Sequence, residues 1–476
     1  MHKRRERRRH EFTSKKSITH LLSQKKTLQK TLGAYDLILL GIGAIVGIGI
    51  LVLTGVAAAN DAGPSIIFSF MLAALVCGFV AFCYAEIASA LPVSGGVYTY
   101  AYVTVGEVVA YLIGWTQLLI YVLSVAAVAN GWSAYFRSLL EGFHLHIPKM
   151  LSAVPQQGGM INLPAVCIIL LMTWVLSKGV QESKKVNNTM VAIKLSIILL
   201  FIIVGIFYVR PENWDPFMPF GWKGILAGTA TVFFAFLGFD AVATAAEEVK
   251  KPQRDLPIGI VVSLVVCTLL YVIVCLVLTG MVPYHLLNVS DAMAFALHAV
   301  GQDFAAGVIS VGAIVGITTV IFVYLYATVR VLFSMSRDRL LPKPFSGVHP
   351  HSQAPVFSTR IAGFTGAAIA GFIDLRALSN LINIGALLTF VMVALSVMVL
   401  RKTHPNLQRG FKAPLVPYLP ILTIACCIFL MTRLALETWL YFCIWMIVGL
   451  SIYFIYRTKR QKDSHQEQAY MMKKAN

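Results

Sequence analysis

Two charged residues stand where charge is costly. Lys194 lies in NNTMVAIKLSIILLFIIVG and Asp240 in FFAFLGFD, each inside a long apolar run. An ionisable side chain at such depth is a candidate for function. Burial disfavours the charged form of an amine, so an enclosed lysine can bind and release a proton as its surroundings change. The competing reading of Lys194 is snorkelling: six or seven residues from a helix end, its amine can reach the headgroups. A second chemistry comes from glycine. GIGAIVGIG carries Gly41, Gly43, Gly47 and Gly49, and FFAFLGFD carries Gly238. Glycine at this density weakens a helix. A helix broken in mid-membrane exposes N–H groups on one side of the break and carbonyls on the other. Packing through the GxxxG pair Gly43 and Gly47 accounts for two of the four glycines. Phe233, Phe234 and Phe236, taken singly, read more simply as packing aromatics. The sequence holds no nucleophile–base constellation and no phosphate-binding glycine loop, so it reads neither as an enzyme nor as an ATP-driven pump.

The elements that must position these residues follow from composition. Of 476 residues, 58% are apolar and 13% charged, against roughly 25% charged in a soluble domain. The charges cluster between apolar runs long enough to cross the roughly 30 Å hydrocarbon core of a bilayer. The fold class is an all-α polytopic membrane protein with twelve transmembrane helices. We read them at 36–59, 65–90, 108–135, 162–177, 188–209, 222–246, 257–281, 305–334, 356–373, 378–401, 415–432 and 438–457. Segment 94–106 reads as a cytoplasmic amphipathic lead-in to span 3 rather than membrane.

Eleven of the 39 Lys and Arg fall in the first 30 residues. With the N-terminus inside, 31 lie in cytoplasmic segments and 6 outside, and the outer loop 282–304 has none. That asymmetry puts both termini in the cytoplasm of a multi-pass protein of the cell membrane. It also explains the net charge of +18 as a topology signal, with no nucleic acid as partner. All eight cysteines lie in apolar runs without CxxC spacing, so neither a disulfide framework nor a metal site nor any cofactor is expected. The basic N-terminal tail does not read as a cleaved signal peptide.

The glycine-rich stretches fall in spans 1 and 6, five helices apart. Glycine-interrupted spans at matching places in two halves point to an inverted-repeat transporter. Four stretches carry a family resemblance: GIGAIVGIGILVLTG (41–55), YAEIASALPVSGGVYTY (84–100), GFDAVATAAEEVKKPQRDLPIGI (238–260) and RVLFSMSRDRLLP (330–342). Over residues 30–457 the chain resembles the amino acid–polyamine–organocation superfamily, and within it bacterial members of the cationic amino acid transporter family. The resemblance implies a LeuT-like 5+5 inverted repeat plus two C-terminal helices. The chain then divides into a cytoplasmic basic tail (1–33), a first repeat (34–209), a second repeat (210–404), spans 11 and 12 (405–457) and a C-terminal tail (458–476).

An amino acid zwitterion needs donors for its carboxylate and acceptors for its ammonium. The outer half of span 1 begins at the N–H groups of Gly47, Ile48 and Gly49, at a positive dipole end. The first half of span 6 ends at the carbonyls of Phe234, Ala235 and Leu237, and Ile45 adds another. The resemblance places substrate at these positions and Phe234 over them as an outer gate. It also places a lysine ammonium between spans 1, 5 and 8, where sodium-coupled relatives hold a cation. Lys194 occupies that position, and its partners would be the carbonyls of Gly43 and Val46 and a hydroxyl of Thr318 or Thr319.

Ile48 stands where many relatives have a small or hydroxylated residue, and Ile120 where some bacterial relatives carry an acid. Only Asp240 brings a carboxylate to mid-membrane depth, as the broken backbone's partner or a cap. A cationic side chain would lack a counter-charge. The sequence therefore points to a proton-coupled symporter of neutral, apolar amino acids. Its partners are the amino acid, a proton and membrane lipid, and nothing calls for more than a monomer. A cationic amino acid or polyamine exchanger and a membrane amino acid sensor are the alternatives. Arg330, Asp338 and Glu86 are expected to form one ion-pair set near the cytoplasmic ends of spans 8 and 2.

Overall fold

The computed structural model describes residues 30–93, 96–178, 184–349 and 355–475. Most of the basic tail, residues 1–29, lies outside the described residues. Each of the twelve apolar runs is helical. Seven of these helices are long and apolar enough to cross a membrane, and four shorter apolar helices, Ala34–Ile45, Leu163–Ser177, Val356–Phe372 and Tyr418–Met431, accompany them among the described residues. Local chemistry sets their starts. The Asp36 carboxylate accepts from Gly33 N at 2.9 Å, and Asp374 accepts from Ala377 N at 3.3 Å at the head of span 10. Both satisfy N–H groups that a helix leaves open.

Spans 1 and 6 are discontinuous. Span 1 runs as a helix over Ala34–Ile45, turns extended at Val46, and resumes as a wide π-turn over Gly49–Leu53. Span 6 runs over Gly221–Val232, tightens to a 3₁₀ turn over Phe233–Phe236, and turns extended at Leu237. Gly238 then takes φ +121°, a conformation open to glycine at little cost.

Among spans 1–10, the most extensive helix contacts join spans 3 and 8, 2 and 7, 4 and 9, 1 and 7, 2 and 6, 3 and 10, and 5 and 8. Shifting every span number by five maps this set onto itself. Spans 1 and 6 therefore sit in equivalent surroundings, which brings their two breaks face to face. Two segments depart from expectation. Helix Gly96–Thr104 is buried throughout, with Tyr98 donating to Asp338 at 2.7 Å, so it is a wedge inside the bundle and not a surface lead-in. The last helix continues from Leu436 to Ala475, so the segment read as a C-terminal tail extends span 12.

Candidate functional site

The breaks of spans 1 and 6 touch at two glycines. A Cβ at Gly49 would collide with Ala235, and one at Gly238 would lie 2.7 Å from the Ala44 carbonyl carbon. The direction in which a Gly49 side chain would point is thus filled by span 6. Ile45, Ile48, Phe234, Ala235 and Leu237 are all buried, and Gly47 faces Val320 of span 8 with a Cβ distance of 3.5 Å. Ile48 fills a notch left by Gly131 of span 3, and Ile120 packs toward Gly385 of span 10. The ring contacts of the FFAF turn fall to Phe233, against Phe390, and to Phe236, against Phe70 and Tyr271. Asp240 accepts from Gly238 N at 3.1 Å, which ties it to the broken backbone.

One residue escaped the sequence reading. The Tyr271 hydroxyl in span 7 donates toward the carbonyls of Ile45 at 2.9 Å and Ala235 at 2.8 Å. These are two of the carbonyls that the breaks free from helical hydrogen bonding. Tyr271 is fully buried, and a buried tyrosine hydroxyl usually finds a polar partner. That tendency was its one sequence signal.

Lys194 lies at the junction of spans 1, 5 and 8. Its side chain is 4% exposed, and Nζ donates to the Gly43 carbonyl at 2.8 Å. The lysine stem runs along Gly316, where a Cβ would meet Cγ at 2.9 Å. Val46, Leu51, Lys194, Ile197, Gly312 and Gly316 line one small cavity. The amine is therefore turned into the bundle and does not snorkel. The Thr318 hydroxyl donates to Ile314 O at 2.7 Å and accepts from the Trp132 indole at 2.9 Å. Thr319 donates to Gly316 O at 2.8 Å.

Contacts tie spans 1 and 6 to their surroundings on two faces. On one face, Leu32 forms a β-bridge with Val249. Thr31 N and Leu32 N donate to Glu248 O at 3.0 Å, and Lys250 N to Leu32 O at 2.9 Å. Arg330 lies 3.7 Å from the Glu248 carboxylate. On the opposite face, Asp61 accepts from Thr231 at 2.8 Å and pairs with Arg376 at 3.3 Å. Nearby, burial pushes the Asp291 carboxyl above its ordinary range, an effect that the Ser138 hydroxyl and the Arg137 charge reduce.

The expected single set of Arg330, Asp338 and Glu86 is three separate clusters. Arg330 pairs with Glu248, Asp338 with Tyr98, and Glu86 with Arg401 at 2.7 Å and Arg409 at 3.3 Å. Their helix ends lie on one face, but helix packing, not sequence distance, chooses the partners. Removing one member of a buried pair such as Glu86–Arg401 costs about 3–5 kcal/mol, so this cluster is scaffold.

The profile of the family described as amino acid permease matches residues 32–435, and that of its C-terminal region matches residues 411–461. The chain is 55% identical over 439 residues to the methylthioribose transporter of Bacillus subtilis (strain 168), covering 92% of this chain and 95% of that protein. It is 48% identical over 456 residues to the branched-chain amino acid permease BcaP of the same organism, covering 94% and 98%. Against the chloroplastic cationic amino acid transporter 9 of Arabidopsis thaliana it is 40% identical over 386 residues, 79% of this chain and 67% of that one.

Proposed function

The chain belongs to the amino acid permease family, and from that premise we propose that it imports neutral, apolar amino acids through the cell membrane by proton symport, both termini in the cytoplasm. It is a multi-pass permease and not an enzyme. The observation that carries the coupling is the Lys194 ammonium on the Gly43 carbonyl. A positive charge there satisfies the carbonyl end of the inner half of span 1. Loss of its proton would turn a charge-assisted hydrogen bond to that carbonyl into a weaker neutral one and loosen the junction of spans 1, 5 and 8. Thr319, whose hydroxyl hydrogen is directed to Gly316 O, keeps lone pairs able to accept from a cation near span 8.

Substrate would lie between the two breaks. N–H groups of Gly47, Ile48 and Gly49 would take its carboxylate, and the carbonyls of Ile45 and Ala235 its ammonium in exchange for the Tyr271 hydroxyl. Ile48 and Ile120 leave the surroundings apolar, which favours a neutral side chain. Phe234 would shield the bound molecule from the outer side. The closures at Leu32–Val249 and Asp61–Arg376 would open in alternation, as inverted-repeat carriers require. The division into repeats at 34–209 and 210–404 supplies the two rocking bodies.

A second reading rests on the 55% identity to a methylthioribose transporter. A methylthio-substituted ribose is also uncharged and partly apolar, and would suit the same surroundings without the carboxylate contact. Purified protein in liposomes, an imposed pH gradient and labelled branched-chain amino acids, arginine and methylthioribose separate the readings. Accumulation of a neutral amino acid driven by inward protons supports the proposal. Accumulation of methylthioribose alone selects the second reading, and uptake indifferent to pH removes the coupling.

A further inference from the structure

The loop that follows span 10 folds back beneath spans 2 and 7. It borders an open cavity of about 540 Å³ whose walls include Gln253, Arg401, Leu407, Arg409, Gly410 and Lys412. The charges around it do not balance. Glu86 accepts from Arg401 Nε at 2.9 Å, from Arg401 Nη2 at 2.7 Å and from Ala413 N at 2.8 Å. It also lies 3.3 Å from Arg409 Nε. One buried carboxylate therefore serves two guanidiniums.

The two arginines are not equivalent. Arg409 commits both Nη atoms to backbone carbonyls of Pro405, Leu407, Leu400 and His404 at 2.9–3.1 Å. It fixes the shape of the loop. Arg401 donates through Nε and Nη2 only, and its Nη1 has no hydrogen-bond partner among the described residues. Its side chain is 30% exposed and forms part of the cavity wall. Lys412 stands on the same wall, is exposed, and has no carboxylate within ion-pair distance among the described residues. Among the described residues no Asp or Glu lines the cavity, and the side chains of Gln253 and Gln408 add neutral amide donors. Three cations against Glu86 leave two uncompensated positive charges beside open N–H donors on a rigid loop.

We propose that this cavity binds a phosphate group. A guanidinium edge and an ammonium held at one wall match the oxygens of a phosphate, which accept charge-assisted hydrogen bonds from both. The phosphate can come from an anionic lipid headgroup as well as from solution. Occupancy would tie the start of span 7 to the loop after span 10. Gln253 lies four residues beyond Val249, so a bound phosphate would hold the Leu32–Val249 closure in place.

The test uses full-length protein in lipid-depleted micelles and reads its thermal midpoint. Inorganic phosphate, short-chain phosphatidylglycerol and chloride at matched ionic strength are titrated separately. The proposal expects a saturable rise with phosphate, phosphatidylglycerol or both, beyond that with chloride. Lys412→Glu should raise the half-saturating concentration about tenfold or more, as the loss of a charge-assisted contact implies. Lys402→Glu, an exposed change at the end of span 10 that does not line the cavity, should leave it unchanged. A response to phosphatidylglycerol alone assigns the site to lipid, and to phosphate alone assigns it to a soluble ligand. No response beyond chloride, or equal weakening in the two variants, overturns the proposal.

Discussion

The hydroxyl of Tyr271 lies 2.8 Å from the carbonyl oxygen of Ala235, and the same hydroxyl is 2.9 Å from that of Ile45. One hydrogen cannot fully serve two acceptors, so the breaks of spans 1 and 6 share a single donor. A substrate ammonium brings three.

Tyr271→Phe should therefore do two things. It leaves two buried carbonyls without that donor, at a cost of about 1–3 kcal/mol, visible as a lower thermal midpoint in detergent. It should also enlarge the stabilisation that saturating substrate confers, because the ligand amine then supplies the missing donor. An equal ligand-induced rise in variant and parent would mean that substrate does not reach these carbonyls.

The contact between Gly49 and Ala235 predicts strict intolerance at position 49. Substitution by alanine already places a Cβ into Ala235, and forced overpacking costs about 1–3 kcal/mol. Both Gly49→Ala and Gly49→Val should lower stability as well as transport. If Gly49→Val transports poorly but melts with the parent, the glycine serves ligand approach alone.

Selectivity should follow the two isoleucines. Neutral apolar amino acids should compete for uptake better than lysine or arginine, and Ile120→Glu should shift preference toward the cations by giving their charge a partner. Ile120 abuts Gly385 with a Cβ distance of 3.0 Å, so the longer acid has to turn from span 10 toward the breaks. Preference of the parent protein for arginine would contradict the apolar reading.

Asp291 carries a pH prediction. Its carboxyl is raised above 3.8 chiefly by burial. The native state thus holds the proton more tightly than the unfolded chain, and stability falls as pH rises from that value through the raised one. Asp291→Asn removes this loss. The variant should melt higher than the parent at neutral pH, with the difference closing on acidification below the ordinary carboxylate value. A gap independent of pH would show that Asp291 titrates elsewhere.

Much of this architecture was legible in the residues. Apolar runs gave the spans, and Gly47, Gly49 and Gly238 marked both breaks, because glycine at that density cannot serve an ordinary span. Lys194 was visible as a charge where none is cheap. Tyr271 was not, since one tyrosine in an apolar run looks like any buried aromatic until the carbonyls it meets are placed. The partners of Glu86 were hidden for a related reason. Arg401 is 315 positions away, and only the packing of span 2 on span 10 selects it over the other cations of that face. Helix Gly96–Thr104 misled because its tyrosines and threonines suggest an interface with water, whereas the hydroxyls of Tyr98, Tyr102 and Thr104 find partners inside the bundle, Thr104 with Ser396 at 3.1 Å.

The central claim is that Lys194 carries the coupled proton. Lysine can lose its charge inside the bundle, whereas a guanidinium stays charged at any accessible pH and does not fit the place of an ammonium on one carbonyl. The decisive measurement is uptake of a labelled neutral amino acid by Lys194→Arg in liposomes under an inward proton gradient, beside the parent and Lys194→Ala, with folding of each checked by its thermal midpoint. The account predicts that both variants fold, that neither accumulates substrate above the level without a gradient, and that the parent does so without sodium. Accumulation by Lys194→Arg close to that of the parent would contradict it.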